Sequence, residues 1–222
     1  KYNKLFIKCI EQLIKKHNSK YQQVFFCQDC DRSSNWRFKI YSDYKNNRTY
    51  DEYIFDYFKN TINNLIPYFV SLGCYQLSIN KVEADDIAYF ITKKFLTETN
   101  KNIIIITNDY DYIQMIQDRV KIYNLQELDL STKIQQTPEI DLKMKIILGD
   151  KSDNIPSIFK RCGKSTALKY AINQDLLEEK MKQDQELRKK YNLNKLLIDL
   201  REIPNDIEKD IDDSFNKLNK LY

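Results

Sequence analysis

Lys101-Asn102-Ile103-Ile104-Ile105-Ile106-Thr107-Asn108-Asp109-Tyr110-Asp111 sets an unbroken β-branched run against a short polar tip. A run of this kind, bounded by turn formers, predicts a strand buried on both faces, as in a parallel sheet. Two carboxylates, Asp109 and Asp111, then leave its carboxyl end. Asn and Asp also favour turns for their own sake, so the pair carries two readings, turn former and cation ligand.

The same arrangement recurs on either side of this strand. Gln23 to Cys27 reads as a buried strand with Asp29 just beyond it, and Tyr75 to Ile79 as another. Glu83-Ala84-Asp85-Asp86 then opens a helix whose apolar positions Ile87, Phe90, Ile91 and Phe95 recur at helical spacing. Acids in a first helical turn complement the macrodipole, but capping needs only one or two of them. Glu83 and Asp86 share a face at i,i+3, and Asp85 points elsewhere. Val120 to Leu125 reads as a further strand, and Pro138 to Leu148 as a helix stopped at Gly149. The turn that follows, Asp150 to Pro156, contributes Asp150 and Asp153. Functional groups collect at the carboxyl ends of strands in open α/β sheets. Crowded carboxylates repel and raise one another's pKa, which a hard divalent cation relieves. Two such cations would suit phosphodiester hydrolysis.

The chain of 222 residues is long enough for one large domain, or for a core with a helical appendage. No apolar run approaches the roughly 20 residues that span a bilayer, and no signal peptide is visible. Cys9, Cys27, Cys30, Cys74 and Cys162 make an odd count, which favours free thiols in a reducing compartment. Cys27 and Cys30 lack a second pair of soft ligands for zinc, since His17 is the single histidine, and Asp29 between them disfavours a redox thiolate. The net charge of +4 is uneven: residues 143–169 carry seven Lys/Arg against two Asp, and residues 175–213 twelve acids against eight bases. A solvated helix face explains any one charge run. Here the basic block adjoins the acidic turn, which suits a phosphate backbone drawn toward bound cations.

Within that block, Gly163-Lys164-Ser165-Thr166 opens a helix. It is not a P-loop, because Ile158 stands where the first glycine is required. A glycine before a helix N-terminus still presents unpaired amides to an anion, with Lys164 and Ser165 adding contacts. Residues 1–18 read as an amphipathic helix, and residues 36–70 as largely helical and rich in aromatic and basic side chains, including Tyr41, Tyr44, Tyr50, Tyr53, Phe55, Tyr57 and Phe58. Those aromatics suit either helix packing or stacking on frayed bases.

In order and spacing, Glu83 to Asp86, Asn108 to Asp111, Gly149 to Pro156 and Gly163 to Ala167 resemble the structure-specific 5′ nucleases. These include flap endonucleases and the 5′ nuclease domains of bacterial polymerases, and the likeness is greatest to the T-even phage type ribonuclease H. That family's pattern of Asp, aromatic-Trp-Arg and Tyr-Lys-x-x-Arg is echoed by Asp29, Trp36-Arg37 and Tyr44 to Arg48. The resemblance spans residues 1–215 and implies a PIN-like, Rossmann-like α/β core with a central sheet flanked by helices. It implies a nuclease core over residues 1–130, with an arch region at 37–70, and a helix-three-turn-helix with a C-terminal helical region over 131–222, the two contiguous. Asp29, Glu83, Asp85, Asp86, Asp109, Asp111, Asp150 and Asp153 would then hold two Mg²⁺ or Mn²⁺ ions. Arg37, Lys45 and Arg48, with Asp29, would act at the scissile or 5′ phosphate. Lys160, Arg161, Gly163, Lys164, Ser165 and Thr166 would grip duplex DNA, with K⁺ as a further ion there.

The expected activity is 5′ to 3′ cleavage of flapped, nicked or 5′-ended DNA and of RNA/DNA hybrids in primer removal or repair. The protein would be a monomer in the cytoplasm of a bacterial or phage-infected cell, or in a DNA-replicating compartment, with a sliding clamp or single-strand-binding protein as partner. Alternatives are a PIN-type single-strand ribonuclease and a catalytically silent nucleic-acid-binding module. Two departures stand out. The family begins with a strand bearing another metal-binding Asp, so residues upstream of Lys1 are expected. The segment Ser157 to Cys162 replaces a Gly-rich turn.

Overall fold

The computed structural model describes residues 2–18, 23–49 and 51–219. Along the chain lie α1 (Tyr2–Asn18), β1 (Val24–Gln28), α2 (Trp36–Ile40), α3 (Glu52–Ser71), β2 (Cys74–Ser78), α4 (Ala84–Glu98), β3 (Ile103–Ile106) and β4 (Val120–Tyr123). They are followed by α5 (Pro138–Leu148), α6 (Lys164–Ile172), α7 (Gln174–Gln183), α8 (Gln185–Ile198) and α9 (Asn205–Asn219). The side chains of Cys9, His17 and Phe55, and the whole of Tyr50, lie outside the described residues.

The strands are parallel, as their apolar runs predict. β1 pairs with β2 from Val24↔Cys74 to Gln28↔Ser78, and β3 with β4 from Ile103↔Val120 to Ile106↔Tyr123. Among the described residues these are two separate two-stranded ladders rather than one continuous sheet. Helix α4 joins them. Its Ile87, Phe90 and Ile91 enter a core with Leu77, Phe25 and Cys27 of the first pair. Its Ala88 and Tyr89 pack on the core that holds Ile105 and Ile122 of the second. Because α4 begins at Ala84, this placement sets its acidic first turn beside the strand ends.

The acidic C-terminal helix has a structural role that charge counting does not reveal. Ile207, Ile211 and Phe215 of α9 are buried in the first core, where the Phe215 ring lies 5.8 Å from that of Phe25. Its acids face outward, Glu208 to Lys93 at 2.6 Å and Asp212 to Lys94 at 2.9 Å. Surface pairs of this kind contribute little, so the apolar stripe anchors the helix.

Gly149 ends α5 at φ +72, in the left-handed region that glycine adopts without strain. A Cβ there would lie 2.3 Å from the Ile155 carbonyl oxygen, so the turn also requires the close approach. Two reciprocal backbone bonds, Asp150 N–H to Ile155 (2.9 Å) and Ile155 N–H to Asp150 (2.7 Å), close the acidic turn. Residues 41–48 dock onto that turn: Lys45 N–H donates to the Asp153 carbonyl (2.8 Å), Asn47 to that of Lys151 (2.7 Å), and Asn154 to that of Asp43 (2.8 Å). The region expected as an arch therefore divides, residues 41–48 being fixed against the acidic turn and α3 following as a 20-residue helix. Tyr44 is core, packed with Leu142, Ile146 and Leu197, while Tyr53, Tyr57 and Phe58 are exposed on α3.

Candidate active site

A cleft of about 320 Å³ opens at the strand ends, lined by Asp29, Glu83, Asp85, Asp109, Asp111 and Asp153, with Lys45 and Arg48 also on its wall. Local backbone chemistry explains how each carboxylate arrives there. Asp29, just past β1, accepts the Ala84 amide at 2.8 Å and so ties that strand to the start of α4. The Asp109 carboxylate accepts the Asp111 amide at 2.9 Å and starts a 3-10 turn over Tyr110–Met115. Asp109 is thus a turn former whose side chain also faces the cleft. Asp150 accepts from the Ser152 amide (2.7 Å) and hydroxyl (2.6 Å) through the same oxygen.

Oxygens of Glu83, Asp85 and Asp86 lie within 4.8 Å of one another, as do oxygens of Asp111, Asp150 and Asp153. Asp85 is held well above the usual carboxylate range by burial and then by the Asp86 charge, which Arg37 and Lys45 only partly offset. Asp109 is raised likewise, by burial and by Asp111. A divalent cation would reverse both shifts, since opposite charge at close range favours the ionised carboxylate. An all-oxygen donor set with uncompensated repulsion fits a hard cation such as Mg²⁺ or Mn²⁺.

Other carboxylates already have cations of the chain's own. Burial opposes ionisation of Glu83, but Arg37 and Lys45 outweigh it and hold its carboxyl below the usual range. Asp150 is held at about 2, with Lys145 and Ser152 overcoming the effect of burial. The Lys145 ammonium pairs with both Asp111 and Asp150, the latter at 2.7 Å. Asp153 pairs with Arg48 and lies 3.8 Å from the Lys45 ammonium.

Arg37, expected at a phosphate, lies buried beneath the acidic cluster. It is 1% exposed and four of its five N–H donors are engaged: Nε to the Leu197 carbonyl (3.1 Å), Nη1 to Glu83 (2.9 Å) and Asp86 (2.8 Å), and Nη2 to Asp86 (2.7 Å). As placed it is a counter-ion beneath the acidic cluster. Asp86 is its partner, wholly buried and also accepting from the Trp36 indole at 2.8 Å. One of its oxygens still lies within 4.8 Å of oxygens of Glu83 and Asp85. Lys45 and Arg48 line the cleft, paired with Glu83 and Asp153 respectively.

Two participants are missed by sequence reasoning. The Tyr44 hydroxyl sits between Glu83 (3.0 Å) and Asp153 (3.2 Å). Lys145 counts among the basic residues, yet its place on the last turn of α5, five residues before Asp150, signals that it faces the acids rather than solvent. Lys160, Arg161, Gly163, Lys164 and Ser165 are exposed and Thr166 is partly so. They precede or begin α6, whose first-turn amides have no carbonyl partner within the helix. Ala167 and Ala171 of α6 pack on Met144 and Ile147 of α5, so one helix pair carries both the acidic turn and this N-terminus.

Cys27, Cys30, Cys74 and Cys162 are free thiols. Burial, reinforced by the Asp29 charge, pushes the Cys27 thiol up to about 12. The reactive form is the thiolate, so at pH 8 it is scarcely populated in the fold. Iodoacetamide labelling at pH 8 with peptide mass spectrometry should leave Cys27 unmodified in the native protein and modify it after denaturation; equal labelling in both states would refute this.

The family model described as 5′-3′ exonuclease, N-terminal resolvase-like domain, matches residues 2–145. The chain belongs to the 5′-3′ exonuclease family. It is 31% identical over 172 residues to a 5′-3′ exonuclease of Buchnera aphidicola, the match covering 73% of this chain and 56% of that protein. It is 29% identical over 221 residues to ribonuclease H of Enterobacteria phage T4, covering 88% of this chain and 70% of the relative. The chain thus spans little more than half the length of the first of these. Among solved structures, T5 5′-exonuclease with bound divalent metal ions (zinc) matches with a TM-score of 0.73 at 18% identity, over 98% of this chain and 91% of that one. A bacteriophage T5 flap endonuclease in a pseudo-enzyme-product complex with DNA and metal ions gives 0.71 at 16%, over 98% and 91%. At such identity the likeness is one of fold, and the fold is PIN-like. Among the described residues no helix is long and apolar enough to cross a membrane.

Proposed function

We propose that this protein is a divalent-metal-dependent 5′ nuclease that hydrolyses phosphodiesters of branched or 5′-ended DNA and of RNA/DNA hybrids, in primer removal or repair. The observation that carries the reading is the convergence of Asp29, Glu83, Asp85, Asp109, Asp111 and Asp153 on one cleft with Lys45 and Arg48 beside them. Family membership and relatives named as exonuclease and ribonuclease H support it.

Asp29, Glu83, Asp85 and Asp109 would hold one Mg²⁺ or Mn²⁺ ion, and Asp111, Asp150 and Asp153 a second. Bound there, the ions would supply a lowered water pKa for attack and stabilisation for the leaving 3′ oxygen. Lys45 and Arg48 neutralise charge that develops on the phosphoryl oxygens. Tyr44 positions Glu83 relative to Asp153, and Arg37 with Asp86 fixes the start of α4 beneath them. Lys160, Arg161 and the α6 N-terminus, Gly163 to Thr166, hold the duplex backbone, with K⁺ as an ion of that element. A sliding clamp or single-strand-binding protein is the expected partner of a monomeric, intracellular enzyme.

The test is Mg²⁺-dependent cleavage of end-labelled flap, nicked and RNA/DNA substrates by the protein. Release of 5′ products only with divalent metal supports the reading; DNA binding without such cleavage favours a silent binding module. Lys164→Ala should weaken duplex binding and lower its salt slope by about 1, as expected for loss of one phosphate contact. Fluorescence-anisotropy titrations over a range of salt check this, and an unchanged slope would remove Lys164 from the interface.

A further inference from the structure

We propose that Lys145 is an internal stand-in for the second divalent cation and competes with it for Asp111 and Asp150. The inference rests on the metal-dependent reading above.

The geometry is specific about which oxygens are contested. One oxygen of Asp150 is consumed by Ser152, whose amide and hydroxyl both donate to it, at 2.7 and 2.6 Å. The other oxygen is held by the Lys145 ammonium at 2.7 Å, so a cation that takes Asp150 must take the oxygen that Lys145 holds. The same ammonium pairs with Asp111. Those two carboxylates and Asp153 bring oxygens within 4.8 Å of one another, and Lys145 spans two of the three.

At the other end of the cleft Lys45 pairs with Glu83, but Asp29 and Asp109 are held differently. Asp29 and Asp109 each receive a backbone amide, at 2.8 and 2.9 Å, through one oxygen, a bond that orients the carboxylate and leaves its second oxygen to a cation. An ammonium on a four-carbon stem is a mobile point charge, whereas a backbone amide cannot move away. Lys145 also has room to withdraw, since its side chain is 27% exposed although it stands on the well-packed α5.

Cation binding and the Lys145 pairing are thus linked. Each weakens the other by the same factor, and the apparent affinity of the second site falls with the fraction of molecules in which Lys145 occupies it. One function follows: the empty carboxylates are kept from repelling each other, and the second cation stays weakly held until substrate phosphate adds its own ligands.

The experiment is Mn²⁺ binding to the whole protein without nucleic acid, read from the electron paramagnetic resonance signal of free Mn²⁺. Wild type should bind two ions with unequal affinity. Lys145→Met should tighten the weaker site by about tenfold, a typical coupling between linked sites, and move the stronger one by less than about twofold. Lys145→Gln is the second variant should the Met protein fold poorly, with the same expectation. Lys145→Arg, whose planar fork grips carboxylates more firmly, should weaken the second site further. Thermal melting in EDTA supplies an independent readout: Lys145→Met should melt lower than wild type, and Mn²⁺ should restore it. An unchanged or weakened second site in Lys145→Met and Lys145→Gln overturns the inference while leaving the metal reading intact. Absence of Mn²⁺ binding to wild type overturns both.

Discussion

Asp109→Asn should abolish Mg²⁺-dependent cleavage of a 5′ flap, lowering the rate by about 10³-fold or more, while binding of the same substrate in Ca²⁺ persists. The magnitude follows if the cation contributes several kcal/mol of transition-state stabilisation, with tenfold in rate for each 1.4 kcal/mol or so. Asn can keep the local fold, because its carbonyl oxygen can accept the Asp111 amide as the carboxylate does. It removes the charge alone. The electrostatics give a second sign to check. Burial and the Asp111 charge raise the Asp109 carboxyl above its ordinary value, so its ionisation near neutral pH opposes folding in the absence of metal. The stability associated with its protonated form is present at low pH and lost as pH rises through the raised value. Asp109→Asn should therefore melt at the same temperature as wild type or higher in EDTA at pH 7, and gain less from added Mg²⁺. Asp153→Asn should also abolish cleavage, but it disturbs the pairs to Lys45 and Arg48 and so is the less clean variant. Retained cleavage in both would refute the assignment.

How much of this site can be read from the sequence depends on whether a residue's role is set locally or by partners far along the chain. Residues 101–111 declare themselves, because strand, turn and carboxylates are all encoded within 11 positions. The first turn of α4 and the turn from Asp150 to Ile155 are legible for the same reason. Tyr44 is not: its hydroxyl bridges Glu83 and Asp153, 39 and 109 residues away, and an aromatic in a basic stretch gives no hint of that. Lys145 is hidden by arithmetic, since a basic block counts charges without saying which way they face. The C-terminal helix misleads through composition, since the twelve-against-eight acid excess over residues 175–213, of which α9 is only the last part, obscures the Ile207, Ile211 and Phe215 stripe. The division of the sheet into two ladders joined by α4 is likewise a long-range outcome that strand patterns do not specify.

Arg37 shows the same limit with the largest consequence for stability. The motif reading assigns it to a phosphate, and the structure buries it against Asp86, Glu83 and the Leu197 carbonyl, its guanidinium carbon 4.4 Å from the centre of the Trp36 ring. Removing one partner of a buried pair strands the other without compensation, at a cost of about 3–5 kcal/mol. Arg37→Met should thus lower unfolding free energy by about that much, measured by urea denaturation in EDTA, with Asp86 the residue most penalised. Arg37→Met combined with Asp86→Leu removes the orphaned charge and should recover more than half of the loss, because an apolar pair of similar volume often replaces a buried ion pair without penalty. A phosphate-contact role makes the opposite forecast: stability near wild type, weakened DNA binding and no rescue by Asp86→Leu. The two roles are separable for a physical reason. The guanidinium spends four of its five N–H donors on two carboxylates and a carbonyl at 1% exposure, so in this conformation its loss is felt first by the fold.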